Sequence, residues 1–239
     1  QPQACYNSNM DILVPYAEAI LAAVIHATLQ LSLGSLLLLY HASLKQHIPK
    51  RTRQLVSNYI AGVGTLILLS VAGIAFTLER WLGGALYTEE LLIVVGMLVA
   101  LAIAVWTFYY RFGKSTELWL PRTVARFINQ RAKTTQSDTE AFGLGLLTSF
   151  AEWPFALVLM VVAANSILGL PSEQQLLAVA IYTIITILPP LILRGAVRKG
   201  KTVVEIQRWR VKHKNFFRVV TGVGFLVLSG FLFAFEVLK

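Results

Sequence analysis

The chain is short of charge, of acid and of cysteine. Only 14% of its 239 residues are charged, against roughly a quarter in a soluble globular domain. Twelve acids face twenty-one Lys and Arg residues, a net charge of +9. The single cysteine, Cys5, excludes a disulfide within the chain, a thiol pair for redox exchange and a cysteine zinc site. No His-Glu-x-x-His, Gly-x-Ser-x-Gly or P-loop pattern occurs, so metalloprotease, serine-hydrolase and nucleotide-phosphate chemistry have no sequence support. The expectation is a protein that is not an enzyme and carries no cofactor.

What is present is apolar. The chain is 56% hydrophobic with a mean hydropathy of +0.65. About 20 mostly apolar residues span the hydrocarbon core as a helix. Six segments qualify, at 13–40, 56–78, 90–110, 141–167, 174–194 and 216–237. Runs such as Leu91–Val105 and Ile181–Leu193 do not alternate, which excludes barrel strands. Nineteen of the 21 cations fall in 41–56, 111–140 and 194–218; only Arg80 and Lys239 lie elsewhere. Basic loops face the cytoplasm. The reading is an all-α integral protein of a cell (plasma or inner) membrane, multi-pass, with cytoplasmic basic loops and both termini outside. Attraction to anionic headgroups accounts for these cations, so nucleic acid is rejected as a partner and the lipid bilayer takes its place.

Loop 111–140 divides the helices three and three. Three is odd, so the second group enters the membrane upside down, which is the arithmetic of an inverted repeat. The expected layout is an outer tail at 1–12, a three-helix repeat at 13–110, the basic loop 111–140 and a second repeat at 141–239. Met10, directly before the first apolar run, reads as a natural start, with 1–9 a short outer tail or an added remnant. At an offset of 122 positions Glu18-Ala19 matches Glu140-Ala141, Pro49 matches Pro171, His26 matches Thr148 and Gln30 matches Glu152. Gly96 and Gly222 fall at nearly the same shift. Residues 116–133 place Leu120, Val124, Phe127 and Ile128 on one face with cations largely elsewhere, the pattern of a helix lying on the inner leaflet. Residues 198–214 are similar, with Val203, Ile206 and Trp209 among many cations.

Glu152 is the candidate centre. A charge at the middle of a span costs roughly 2.5–3.5 kcal/mol on insertion scales, so an intramembrane carboxylate points to a role. Pro154 removes the bond to the Phe150 carbonyl and should kink or break the helix there. Thr148 and Ser149 share the face of Glu152 with Gly145. In the first span His26 and Gln30 are four apart on one face. Joined across the repeat, these residues would bind a small solute or a cation, and a His beside a Glu suits proton coupling near neutral pH. Pro189 and Pro190 should break the fifth span near its cytoplasmic end. Gly62 and Gly64 read as close-packing positions of the second span. Glu18 and Glu140 lie at opposite membrane faces as boundary residues.

Ala141-Phe142-Gly143-Leu144-Gly145-Leu146-Leu147, followed by Trp153-Pro154, resembles the fourth helix of the lysine-exporter and cytochrome-biogenesis (DsbD/CcdA-type) superfamily. The stretch Arg218–Gly230 is similar to its sixth helix, with spaced glycines. The resemblance implies a transporter fold of two inverted halves. The cysteines of the thiol-relay members are missing, with Trp153 where one would stand, so electron transfer is not implied. Leu31-Ser32-Leu33-Gly34 lacks the first-helix proline of exporter members. Two functions remain open. One is a proton-coupled exporter of a small solute, such as an amino acid or metal cation, working by alternating access. The other is a non-transporting subunit or anchor that docks a second copy or a membrane partner through its basic loops.

Overall fold

The structure, a computed structural model, describes residues 2–29, 31–44, 49–108, 122–199 and 202–238. They are largely helical, with no strand among them. In chain order the helices are α1 (Pro2–Leu29), α2 (Leu31–Leu44), α3 (Pro49–Thr77), α4 (Thr88–Phe108), α5 (Arg122–Thr134), α6 (Asp138–Ala151), α7 (Trp153–Leu168), α8 (Ser172–Arg198), α9 (Val203–Lys212) and α10 (Lys214–Leu232). Five helices are long and apolar enough to cross a membrane, and six if α6 and α7, bent by 82° at their junction, form one span. Several apolar helices of this length and composition are compatible with a multi-pass membrane protein.

Local chemistry sets the ends. Pro49 opens α3, where its missing N–H costs nothing. After α3 a wide π turn, Leu78–Leu82, stops at Gly83. Gly83 adopts φ 79°, a left-handed conformation that glycine tolerates without a Cβ clash. Ser137 and Glu140 close a capping box at the start of α6, and Thr202 and Glu205 do the same for α9. Pro171 caps α8.

Packing follows the apolar stripes. On α4 the buried residues are Leu91, Val94, Leu98, Ala102 and Val105, spaced by three and four along one face. Leu92, Ile93, Met97, Ile103 and Trp106 are exposed, as a lipid-facing surface requires. That stripe packs on α10, while α1 lies against α7, α8 and α10 and α3 lies against α6, α7 and α8. The tightest seam is α3 on α6. A Cβ on Gly62 would run into the Phe142 carbonyl, and one on Gly145 into the Tyr59 carbonyl, so the two backbones touch. Gly64 has ordinary contact with Ile187 and Thr183. On α10, Gly222 admits the Trp106 ring and Gly224 the Ile25 side chain.

The basic segments gather at one end. Arg51 Nη2 donates 2.7 Å to the Gln136 carbonyl, α5 packs on α2 and α6, and α9 also touches α2. Helix α5 is strongly amphipathic, but its face is turned from the expected one. Ile128 and Ala132 are buried against the bundle, while Val124 and Phe127 remain exposed. Leu120 lies outside the described residues. In α9 Trp209 is exposed, whereas Arg210 is buried.

Residues 2–12 are helical, continuous with α1 and ahead of the apolar window that opens at Ile12. Two expectations are corrected. Helix α8 runs unbroken through Pro189 and Pro190. Each proline removes one backbone bond, but tertiary packing on α1 and α3 holds the helix, as neighbouring helices commonly do in membrane bundles. Glu18 is no boundary residue: it is 1% exposed, enclosed by the seam α1 makes with α7.

Candidate functional site at the broken helix

The fourth span breaks at Glu152. This residue is both the last cap of α6 and the first cap of α7. Its N–H turns back 3.2 Å to the Ser149 carbonyl, and its carbonyl accepts from Phe155 and Ala156, each at 3.0 Å. Pro154 falls in the first turn of α7, where a proline needs no backbone donor. It causes the break but does not line the site, since its side chain is exposed. That corrects its expected place. The carboxylate therefore sits at the N-terminal, partially positive end of a half-helix, inside the bundle and 3% exposed.

His26 reaches this carboxylate from α1. Nε2 lies 3.9 Å from Glu152 Oε2, a charge-range distance beyond a hydrogen bond. The other ring nitrogen, Nδ1, is 2.9 Å from the Tyr182 hydroxyl of α8. When the phenol donates, Nδ1 accepts and the ring proton sits on Nε2, facing Glu152. A small cavity of about 10 Å³ lies between them, lined by His26, Ala27, Val63, Ile67, Glu152, Thr186, Pro189 and Pro190. That is room for about one water molecule.

Thr148 and Ser149 flank the carboxylate on the last turn of α6, both fully buried. Thr148 Oγ1 donates 2.7 Å to the Leu144 carbonyl. Tyr59 of α3, also fully buried, stands within hydrogen-bonding reach of Thr148 and Ser35. The Ser149 hydroxyl is buried without a partner among the described residues. Gln30 lies outside the described residues. Of the expected site residues, then, the structure brings together His26, Glu152, Pro189 and Pro190, with Thr148 and Ser149 beside them.

Thr186 is legible in the sequence beside the paired prolines of the fifth span, but Tyr182 and Tyr59 were not read from it. Tyr182 had a signal. Tyr182, Thr186, Pro189 and Pro190 follow helical spacing along α8, so the prolines' face leads back to both. Tyr59 had none beyond its place one turn before Gly62. The freed carbonyls of Ile185 and Thr186, which the prolines leave without their fourth-residue donors, belong to this same stretch. Thr186 Oγ1 itself donates 2.8 Å to the Tyr182 carbonyl.

A larger groove, about 180 Å³, lies apart from this site between α5 and α6. Phe127, Arg131, Glu140 and Leu147 are among its walls. Among the described residues no three His, Cys, Asp or Glu side chains converge for a metal ion. No protein-family description, curated protein or solved structure matches this chain.

Proposed function

We propose that the protein is a proton-coupled exporter of a small solute, built as two inverted three-helix halves that alternate in access. The observation that carries the proposal is the meeting of His26 and Glu152 across a cavity at a broken helix. A buried carboxylate at the positive end of a half-helix, a histidine proton aimed at it and proline-freed carbonyls opposite form a set that can hold a proton or a cation. The packing supports inverted halves. The contact of α1 with α8 has its counterpart in α6 with α3, while α3 with α8 and α4 with α10 would pair equivalent helices across the pseudo-two-fold. The basic end faces the cytoplasm in this reading, and the lysine-exporter resemblance agrees with it. At one water's volume, the cavity must widen to admit a solute.

One observation favours a second reading. A cavity this small also suits a non-transporting subunit whose basic end docks a membrane partner. Thermal unfolding of the purified protein with amino acids, divalent metals and anions, beside Glu152→Gln, separates the two. A ligand at 100 times its Kd that binds only the folded state stabilises by about 2.7 kcal/mol. The transport reading expects one class to do so and the effect to vanish in Glu152→Gln. No response from any ligand, with the variant as stable as the parent, leaves the subunit reading.

A further inference from the structure

The groove between α5 and α6 takes no part in the His26–Glu152 site. It encloses about 180 Å³ at the basic end of the bundle. A pocket for a whole small molecule holds roughly 300–1,000 Å³, so this one suits a headgroup rather than an entire ligand. Its α5 wall carries one cation. Arg131 is exposed, and its guanidinium carbon lies 5.5 Å from the centre of the Phe127 ring.

The other polar groups of the groove are acceptors. Thr134 Oγ1 donates its proton 3.1 Å to the Gln130 carbonyl, and Thr135 Oγ1 donates 2.7 Å to the Arg131 carbonyl. Each hydroxyl then has only lone pairs to offer. The Glu140 carboxylate accepts from the backbone N–H groups of Gln136 and Ser137 at 2.9 and 3.2 Å. Both bonds fall on Oε2, so lone pairs remain for a further donor. A guanidinium facing a carboxylate and two hydroxyl oxygens complements a zwitterion. An anionic headgroup would meet Arg131 but be repelled by Glu140. A choline headgroup surrounds its charge with methyl groups and cannot donate. Phosphoethanolamine supplies both halves, phosphate oxygens for the guanidinium fork and three ammonium N–H donors for the acceptors.

The acyl chains also have a path. Gly143 and Leu147 line the groove, and Phe150 continues their face of α6 one turn on. A Cβ on Gly143 would meet nothing within 4 Å, Phe150 is 56% exposed, and no charged residue lies between them. On α5, Val124 and Phe127 are exposed beside Arg126 and Lys133, the pattern of a helix at headgroup level.

We propose that this groove binds phosphatidylethanolamine, with the phosphate on Arg131, the ammonium on Glu140 and the acyl chains along α6. The site rests on the chain's place in a bilayer and not on the transport reading.

Native mass spectrometry of the purified full chain in detergent, titrated with phosphatidylethanolamine, phosphatidylcholine and phosphatidylglycerol of matched chains, tests it. The parent should bind the ethanolamine lipid about two- to fivefold more tightly than the other two, the weight of one exposed ion pair. Glu140→Gln keeps a side chain suited to the capping box and should erase that preference. Gly143→Leu puts a side chain into the groove from an open position and should erase it as well. Equal binding of the three lipids by the parent, or a preference that survives either variant, overturns the site. Tighter binding of phosphatidylglycerol overturns it too, and makes the basic end a general anion-attracting surface. A chain that stays in solution without detergent and binds none of the three overturns the bilayer placement, and the site with it. Should Glu140→Gln not fold, Gly143→Leu decides alone.

Discussion

His26 Nε2 and Glu152 Oε2 stand 3.9 Å apart between α1 and the break that separates α6 from α7. At that distance the two groups attract without sharing a proton, and transfer needs an approach of roughly 1 Å to reach hydrogen-bond range. Tyr182 fixes the imidazole from the far side, so the approach must come from the helices rather than from a ring flip.

A double-mutant cycle reads this pair. His26→Gln and Glu152→Gln, alone and together, should be non-additive in unfolding free energy by about 0.5–3 kcal/mol, the range for groups in one network. Additive losses would mean that the two side chains do not communicate.

The glycines of α6 should separate by position. Gly145→Ala drives a methyl into the Tyr59 carbonyl and should cost about 1–3 kcal/mol, as overpacking does. Gly143 has open space around its Cβ, so Gly143→Ala should leave stability unchanged or slightly raised. Melting temperatures in detergent measure both, and equal effects would contradict the α3–α6 seam.

Asn165 holds the backbone of Leu86. Replacing it with Ala strands a part-buried N–H and should cost about 1–3 kcal/mol. Asn165→Asp keeps an oxygen there and should cost less in the same melt. Hydrogen exchange at Leu86 should quicken in the Ala variant alone.

Pro189 and Pro190 reduce the bonding of α8 without breaking it. Ala at both positions restores two backbone donors and should raise stability, by up to about 3 kcal/mol per proline. Under the transport proposal the same change removes the freed carbonyls and should lower solute flux in proteoliposomes. Greater stability with unchanged flux would detach the prolines from function.

Orientation is open to labelling. In a chain with Cys5→Ser, a membrane-impermeant thiol reagent added outside cells should reach Tyr87→Cys, which is 66% exposed in the α3–α4 connection. It should fail to reach Val204→Cys in α9, 51% exposed among the basic segments, until the membrane is opened. The reverse pattern would invert the topology.

Much of the site was legible because its causes are local. Proline in a span loses a backbone bond and crowds the preceding turn, and the 82° bend falls where Glu152 and Pro154 place it. The apolar runs forced helices, since no water is present to satisfy the backbone of anything else. Position along a span did not tell burial. Glu18 lies early in the first apolar run and reads as a boundary residue, yet the seam with α7 encloses it. The paired prolines read as a break, yet packing on both sides of α8 outweighs two missing bonds.

Composition and charge pattern by themselves determined a helical chain with several runs long and apolar enough to cross a membrane, and residue type marked the break at Glu152 and Pro154. Those are one-dimensional properties of the chain. Which faces meet is not. That His26 turns to Glu152 and Tyr182, that Tyr59 closes on Thr148 and that Glu18 finds Ser166 were decided by the tertiary structure. Each depends on helix rotation and on the backbone contact that Gly62 and Gly145 permit, and in a bundle apolar on every side the hydrophobic pattern does not specify rotation.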